Sequence, residues 1–268
     1  MFGRLKTSQK VIIEACLVIM ALIWLYPLFQ GVRKSLAVDG FKNYYIVLNS
    51  PRINILRTVL NSFFISISVC LIVTILVALA AYAFSKMSFR GKDFLYYALL
   101  ICLTIPSASV MTPLFFTIKS LGLMNSYASL ILPMAAFQAP FLLMIFKNYL
   151  DTVPNDIIEA AKIDGASSFQ TLVAIILPLA KPALVNVIVL GFINSWNEYF
   201  IPLLFVTKKN MYTVTLATTF FTGTQFQTPE MVAQLYASLI LMTFPSIVLY
   251  MFSQRYMQEG LTAGAIKN

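Results

Sequence analysis

The chain contains no histidine. That removes imidazole metal ligands, Ser-His triads and imidazole proton relays. Charge is scarce too: of 268 residues, 11% are charged and 59% are hydrophobic. A soluble domain carries roughly 25% charged residues, and a fold of this size has too little interior to hide so much apolar surface. The solvent for most of the chain is therefore lipid. Cysteine is rare. Cys16, Cys70 and Cys102 all sit in apolar blocks, as small apolar side chains rather than a disulfide framework. No Gly-x-x-x-x-Gly-Lys-Ser/Thr nucleotide loop occurs, so this chain has no phosphate cradle of that kind.

The formal net charge is +9. The basic residues are scattered between apolar blocks rather than gathered on a stripe, which argues against nucleic acid. Basic flanks of membrane spans account for them. The first apolar block lacks a small-residue cleavage site followed by a soluble domain, and reads as a retained span.

Charge-free runs locate the spans. Residues 58–85, 94–118, 120–146 and 231–254 carry no charge, 11–32 carries only Glu14, and 182–207 only Glu198. Crossing the hydrocarbon core takes about 20 helical residues, and helices satisfy their own backbone in lipid. Six spans fit, over about 11–30, 60–84, 94–117, 127–146, 183–206 and 233–253. The expected fold is all-α, one polytopic membrane domain over residues 1–268. Six spans place both termini on one side. That side holds eleven of the 19 Lys/Arg, among them Lys86, Arg90, Lys92 and Lys147, and the other side holds eight. The positive-inside rule then makes the termini cytoplasmic. Pro106, Pro113, Pro133, Pro140, Pro202 and Pro245 punctuate the spans. Such prolines suit a pathway or plain packing kinks.

The longest linker on the cytoplasmic side, about 154–182, is the most heavily punctuated. Asp156 and Glu159 have the spacing of a capping box. The short helix that follows is expected to end at Gly165, as its C′ residue. Ser167 and Gln170 form a second box. That helix is expected to break at Pro178, with Pro182 at the first position of the fifth span. An exposed Ala160-Ala161 face would allow close approach by another surface. Glu159 can pair with a basic partner or simply cap its helix; both readings stay open, as does an interfacial hairpin that docks nothing.

Glu159-Ala160-Ala161, Gly165 and Ile175-Ile176-Leu177-Pro178 together resemble the EAA signature of ABC importer permeases, in identity and spacing. Asn61-Ser62, Trp196-Asn197-Glu198-Tyr199 and Gly260-Leu261-Thr262-Ala263-Gly264-Ala265-Ile266-Lys267 resemble the sugar-uptake branch, and within it the second, maltose-type permease subunit. The resemblance spans nearly the whole chain. It implies a type I importer permease: six transmembrane helices with a cytoplasmic helix-turn-helix coupling elbow. It also implies partners: a homologous second permease, two ATPase subunits that carry the ATP and Mg, and an extracytoplasmic sugar-binding protein. This chain would bind no cofactor or metal itself and would not be an enzyme. It would lie in a bacterial or archaeal cell membrane. Glu159, Ala160, Ala161, Gly165, Ile175, Leu177 and Pro178 would form the ATPase contact, with Gly260, Gly264 and Lys267 of the 254–268 tail adding to it.

For the substrate pathway, polar groups inside spans are the candidates, because burying them unsatisfied costs free energy. Glu198 stands out: a mid-span carboxylate costs about 2.5–3.5 kcal/mol on insertion scales. Asn194 and Asn197 accompany it, and Gln138 sits in the fourth span. Amides and carboxylates bond sugar hydroxyls, and the face of Trp196 suits a sugar ring. The same groups can instead bond neighbouring helices. The rival functions are a permease of this type for a non-sugar solute and an ion-coupled secondary transporter. The second needs intramembrane ionisable relays, and one central carboxylate without histidine supplies few. No nucleophile–base pair suggests a membrane enzyme.

Overall fold

The computed structural model describes residues 7–222 and 228–265, with side chains described for 9–222 and 228–254. The helices run α1 (Thr7–Ser35), α2 (Lys42–Leu48), α3 (Ile55–Lys86), α4 (Lys92–Ile101), α5 (Ser107–Ser120) and α6 (Ala128–Asp151). Then come α7 (Asp156–Ile163), α8 (Ser168–Gln170), a π-helical stretch (Thr171–Ile176) and α9 (Leu177–Leu179). The last are α10 (Lys181–Asn197), α11 (Phe200–Phe205), α12 (Val214–Ala217) and α13 (Pro229–Ala265). No strand occurs among the described residues. Four helices contain stretches long and apolar enough to cross a membrane: Gln9–Ser35, Ile55–Lys86, Ala128–Asp151 and Pro229–Gln254. Two bent pairs bring the total to six if each counts as one span.

The chain forms two compact units, Met1–Ile55 with Thr218–Thr243, and Leu56–Ala217 with Phe244–Asn268. In the first, Asn43 is fully buried and its amide donates to the carbonyls of Ser35, Ala37 and Gly40 at 2.9–3.1 Å. That folds the α1–α2 connection back on itself. Lys34 donates to the Tyr236 hydroxyl at 3.3 Å and lies over its ring. The apolar window of α1 buries nothing inside the chain.

The second unit holds the main core. Helix α3 has neither Gly nor Pro, and Ile65, Val69, Val73, Val77 and Ala81 recur every four residues as its buried stripe, as helical periodicity requires. Leu130, Met134, Leu142, Phe146 and Leu150 of α6 join it, with Ala183 and Val187 of α10. Trp196 is buried against Phe63 and Phe192, with ring centroids 4.8 and 5.7 Å away.

Two expected spans are broken, and proline chemistry explains both. The third, over 94–117, is α4 and α5, bent by 101° across Pro106. A proline drives the preceding residue to extended backbone, and Ile105 has ψ 118°. Pro113 lies inside α5 without breaking it. The fifth, over 183–206, stops at Asn197. Glu198 is extended, with ψ 128°, and α11 begins at Phe200. A proline ring clashes with the carbonyl four residues earlier. For Pro202 that residue is Glu198.

The segment after α11 is pinned to α3. The Asn61 amide donates to the carbonyls of Asn210 and Tyr212 at 2.9 and 3.1 Å and accepts from the Tyr127 hydroxyl at 2.9 Å. Ser62 accepts from the Val214 amide at 2.8 Å. Asn125, at φ 58°, accepts from the amides of Thr207 and Lys208.

Candidate functional site

The elbow between α6 and α10 is built from local signals and a few long-range bonds. Its first helix does not begin with the expected capping box. Asn155 is the N-cap, Asp156 is the first helical residue, and no side chain caps the end. The reason is a competing partner. Lys86 donates to Asn155 Oδ1 at 3.0 Å and also to the Val153 carbonyl. The acidic pair Asp156 and Glu159 still lies in the first turn, where the helix dipole favours negative charge.

The C-terminal end follows expectation. Gly165 has φ +81°. Its N–H donates to Lys162 O at 3.1 Å, and the Ala166 N–H donates to Ala161 O at 2.9 Å. These are the two bonds of a Schellman motif, which needs a left-handed residue at C′. Nothing lies within 4 Å of where a Gly165 Cβ would be. Glycine is required there for its backbone conformation, not for space.

The second box is complete: Gln170 N donates to Ser167 Oγ at 3.3 Å, and Ser167 N to Gln170 Oε1 at 2.8 Å. The helix then widens into the π stretch. Pro178 does not end it, contrary to the sequence expectation. The break falls at Ala180, after α9, and the chain turns by 85° into α10. The wider turns before Pro178 move carbonyls away from its ring. Pro182 is second in α10 rather than first.

Bonds to α3 and α6 hold the elbow. Ser85 and Lys147 both donate to Asp151 at 2.7 Å, and the Tyr149 hydroxyl donates to Leu179 O at 3.2 Å.

Glu159 and Ala160 are exposed, but Ala161 is buried, so the expected two-alanine open face is a one-alanine face. Ile175 and Leu177 are half-buried and Pro178 is exposed. The sequence reading passed over Ile163 and Phe169, which are exposed apolar residues on either side of the turn. Their signal was available: Ile163 lies four residues after Glu159, on the same helical face.

The polar groups of the expected pathway do come together. Gln138, Asn194, Asn197 and Glu198 line one cavity of about 300 Å³, with Ser107, Met111, Met134, Phe137, Phe200 and Ile201. Gln138 Nε2 donates to Ser195 Oγ at 2.9 Å, while its Oε1 is buried with no partner. Glu198 Oε1 accepts from the amides of Phe200 and Ile201 at 2.8 and 3.1 Å. It therefore caps α11 while lining the cavity. Asn194 and Asn197 are exposed. Trp196 faces the core, so the expected aromatic platform is absent from the lining. Gly260 and Gly264 lie on the backbone of α13, and Lys267 lies outside the described residues.

The profile of the family described as binding-protein-dependent transport system inner membrane component matches residues 71–262. The trehalose/maltose transport system permease protein MalG of Thermococcus litoralis is 32% identical, over 98% of this chain and 99% of its own length. The trehalose transport system permease protein SugB of Mycobacterium tuberculosis is 36% identical, over 78% and 76%. Among solved structures, a bacterial ABC transporter that imports the acidic polysaccharide alginate superposes with a TM-score of 0.78 at 22% identity, over 95% of this chain and 99% of that one.

Proposed function

The chain belongs to the family of binding-protein-dependent transport system inner membrane components, and from that premise we propose that it passes a sugar into the cytoplasm by alternating access. The fold is that of an ABC importer permease. The chain is a multi-pass membrane protein and a transport component, not an enzyme. Membership in the family implies ATPase and binding-protein partners.

The finer assignments are ours. The termini and the elbow face the cytoplasm. Two ATPase subunits hold ATP and Mg, and a homologous second permease completes the pathway. The sugar-binding protein delivers from the opposite face. Glu159, Ala160, Gly165, Ile175, Leu177 and Pro178 shape the ATPase contact, with Ala161 packing the contact helix onto the body. Gly260, Gly264 and Lys267 add a tail contact. Gln138, Asn194, Asn197 and Glu198 belong to the sugar's path. Gln138 Oε1 is buried and unpartnered beside Gly191, so it reaches a sugar hydroxyl only when that amide turns toward the cavity.

One observation carries this reading. Helix α10 runs from the Ala180 break at the elbow directly to Asn194 and Asn197 at the cavity. At 1.5 Å per residue its 17 residues make a rod of about 25 Å. An elbow moved by a partner therefore moves the cavity wall. Coupling requires each end to have two packed arrangements, both biased by the partner.

The test is uptake by vesicles containing the reconstituted transporter. ATP-dependent sugar entry that survives collapse of ion gradients is expected. Entry driven by an ion gradient without ATP overturns the proposal.

A further inference from the structure

Asn186, near the elbow end of α10, is 4% exposed, and its Oδ1 is buried with no hydrogen-bond partner. Asn43 also has an unpartnered Oδ1, but its amide nitrogen makes three bonds that hold a turn. No such set of bonds holds Asn186 among the described residues. Burying an amide acceptor without a partner costs free energy, and the residues around Asn186 in α10 are chiefly Val, Leu and Ile. An unsatisfied buried polar group in a folded chain calls for an explanation. Its position supplies one. Residues 186, 190, 194 and 197 fall at i, i+4, i+8 and i+11, on one face of the helix. Asn194 and Asn197 line the cavity. Asn186 continues that face toward the elbow, about 12 Å beyond Asn194 at 1.5 Å per residue. Leu190 between them is half-buried, and the neighbouring Ala183 and Val187 belong to the core. The polar face of the cavity thus runs on beneath packed side chains.

We propose that Asn186 is a second polar station for the solute, on the elbow side of the cavity, closed off in this arrangement and uncovered when α10 shifts. The proposal rests on the reading of the chain as a sugar permease whose elbow faces the cytoplasm, and adds a binding group on the way out. The ligand class is a neutral polyhydroxylated solute: Oδ1 accepts from a hydroxyl, and the amide nitrogen donates to a hydroxyl or ring oxygen. A single uncharged amide suits a transient stop, because a group on a path must bind weakly enough to let go, and neutral hydrogen bonds are the weaker kind. The unpartnered acceptor also biases the helix. It is unsatisfied while the face is packed and satisfied once solute or water reaches it. That is a difference in interaction between two arrangements, which a shift of population requires. Leu190, Ala183 and Val187 are the side chains that part to open the way.

The experiment compares Asn186→Val with Asn186→Thr, which are close in shape and differ in a hydroxyl. Each is placed in the complete transporter in vesicles, with its ATPase subunits and binding protein, and given a radiolabelled mixture of neutral di- and oligosaccharides. Asn186→Val should unfold at or above the parent's temperature, because it removes a buried acceptor that had no partner. Its maximal uptake rate should fall at least about tenfold, the scale of one lost hydrogen bond, while the concentration of loaded binding protein giving half that rate changes less than about twofold. Asn186→Thr keeps an oxygen and should run at least about threefold faster than Asn186→Val. An Asn186→Val variant that unfolds well below the parent shows a structural amide and overturns the proposal. So does one that transports at the parent's rate, or a threonine variant no faster than the valine one. In those cases ATP-driven uptake by the parent keeps the sugar reading standing. A parent without ATP-driven uptake of any sugar in the mixture brings down that reading and the station with it.

Discussion

The two ends of α10 are built alike and finished differently. Each is a helix break near a proline, at Ala180 and at Glu198, and each belongs to a segment that carries a glutamate, Glu159 in the elbow and Glu198 at the cavity. At the C-terminal end, Glu198 is consumed by the structure: one carboxylate oxygen holds two backbone amides of α11. At the elbow, Glu159 is exposed and its carboxylate forms no ion pair among the described residues. The sequence reading leaves both open: Glu159 as a partner contact or a cap, and Glu198 as a sugar ligand or a bond to neighbouring helices. A carboxylate's role follows from which amides lack partners within its reach. Pro202 creates such amides beside Glu198. Asn155 is engaged by Lys86, and no cap forms in front of Glu159.

The sharpest way to break this comparison is Gly165→Pro. Proline locks φ near −65° and deletes the N–H that bonds Lys162, where the chain needs φ +81°. Transport should be abolished while membrane insertion is unchanged, as measured by uptake in vesicles beside protease mapping of the loops. Normal uptake would show that the elbow end transmits nothing.

At the other end, Asn61→Ala removes three hydrogen bonds. At ~1 kcal/mol net per bond, the expected loss is about 3 kcal/mol. Thermal unfolding in detergent would register it, with proteolysis appearing first in residues 206–214. Glu198→Ala should cost about 0.5–2 kcal/mol, the usual range for a lost N-cap, and Glu198→Gln should recover most of it. A glutamine variant as unstable as the alanine one would mean the charge, not the acceptor oxygen, matters there.

The smallest stability effect is expected for Glu159→Gln, within about 0.5 kcal/mol, as for surface sites without special contacts. Its effect should appear instead in ATPase association. An unstable Glu159→Gln would erase the contrast between the two glutamates.

What was legible in the chain divides by range. The span-forming composition and the Gly165 turn depend on neighbouring residues, as does the Ser167–Gln170 box, and all three can be read locally. The start of α7 cannot, because Asn155 is claimed by a lysine 69 positions earlier. The burial of Ala161 beside the exposed Ala160 depends on which face packs, and two adjacent alanines carry no sign of it. The broken third and fifth spans lay nearer to hand. Pro106 and Pro202 are visible as punctuation of their spans, but Pro113, Pro133 and Pro140 lie inside helices that continue, so which proline breaks a span depends on packing. The meeting of Gln138 with Ser195 required α6 and α10 to pack, which single-span reasoning does not supply.

The π stretch Thr171–Ile176 bears on how this elbow passes Pro178. A π turn holds a surplus residue relative to α geometry, and its wider turns absorb that residue so that the flanking helix keeps its phase. A single deletion within that stretch would return it to α geometry with little rotation of the segments on either side. Its consequence would be local: narrower turns would bring carbonyls back toward the Pro178 ring, where an α-helix does not tolerate them. The surplus residue is thus what lets the helix continue through Pro178 to the break at Ala180.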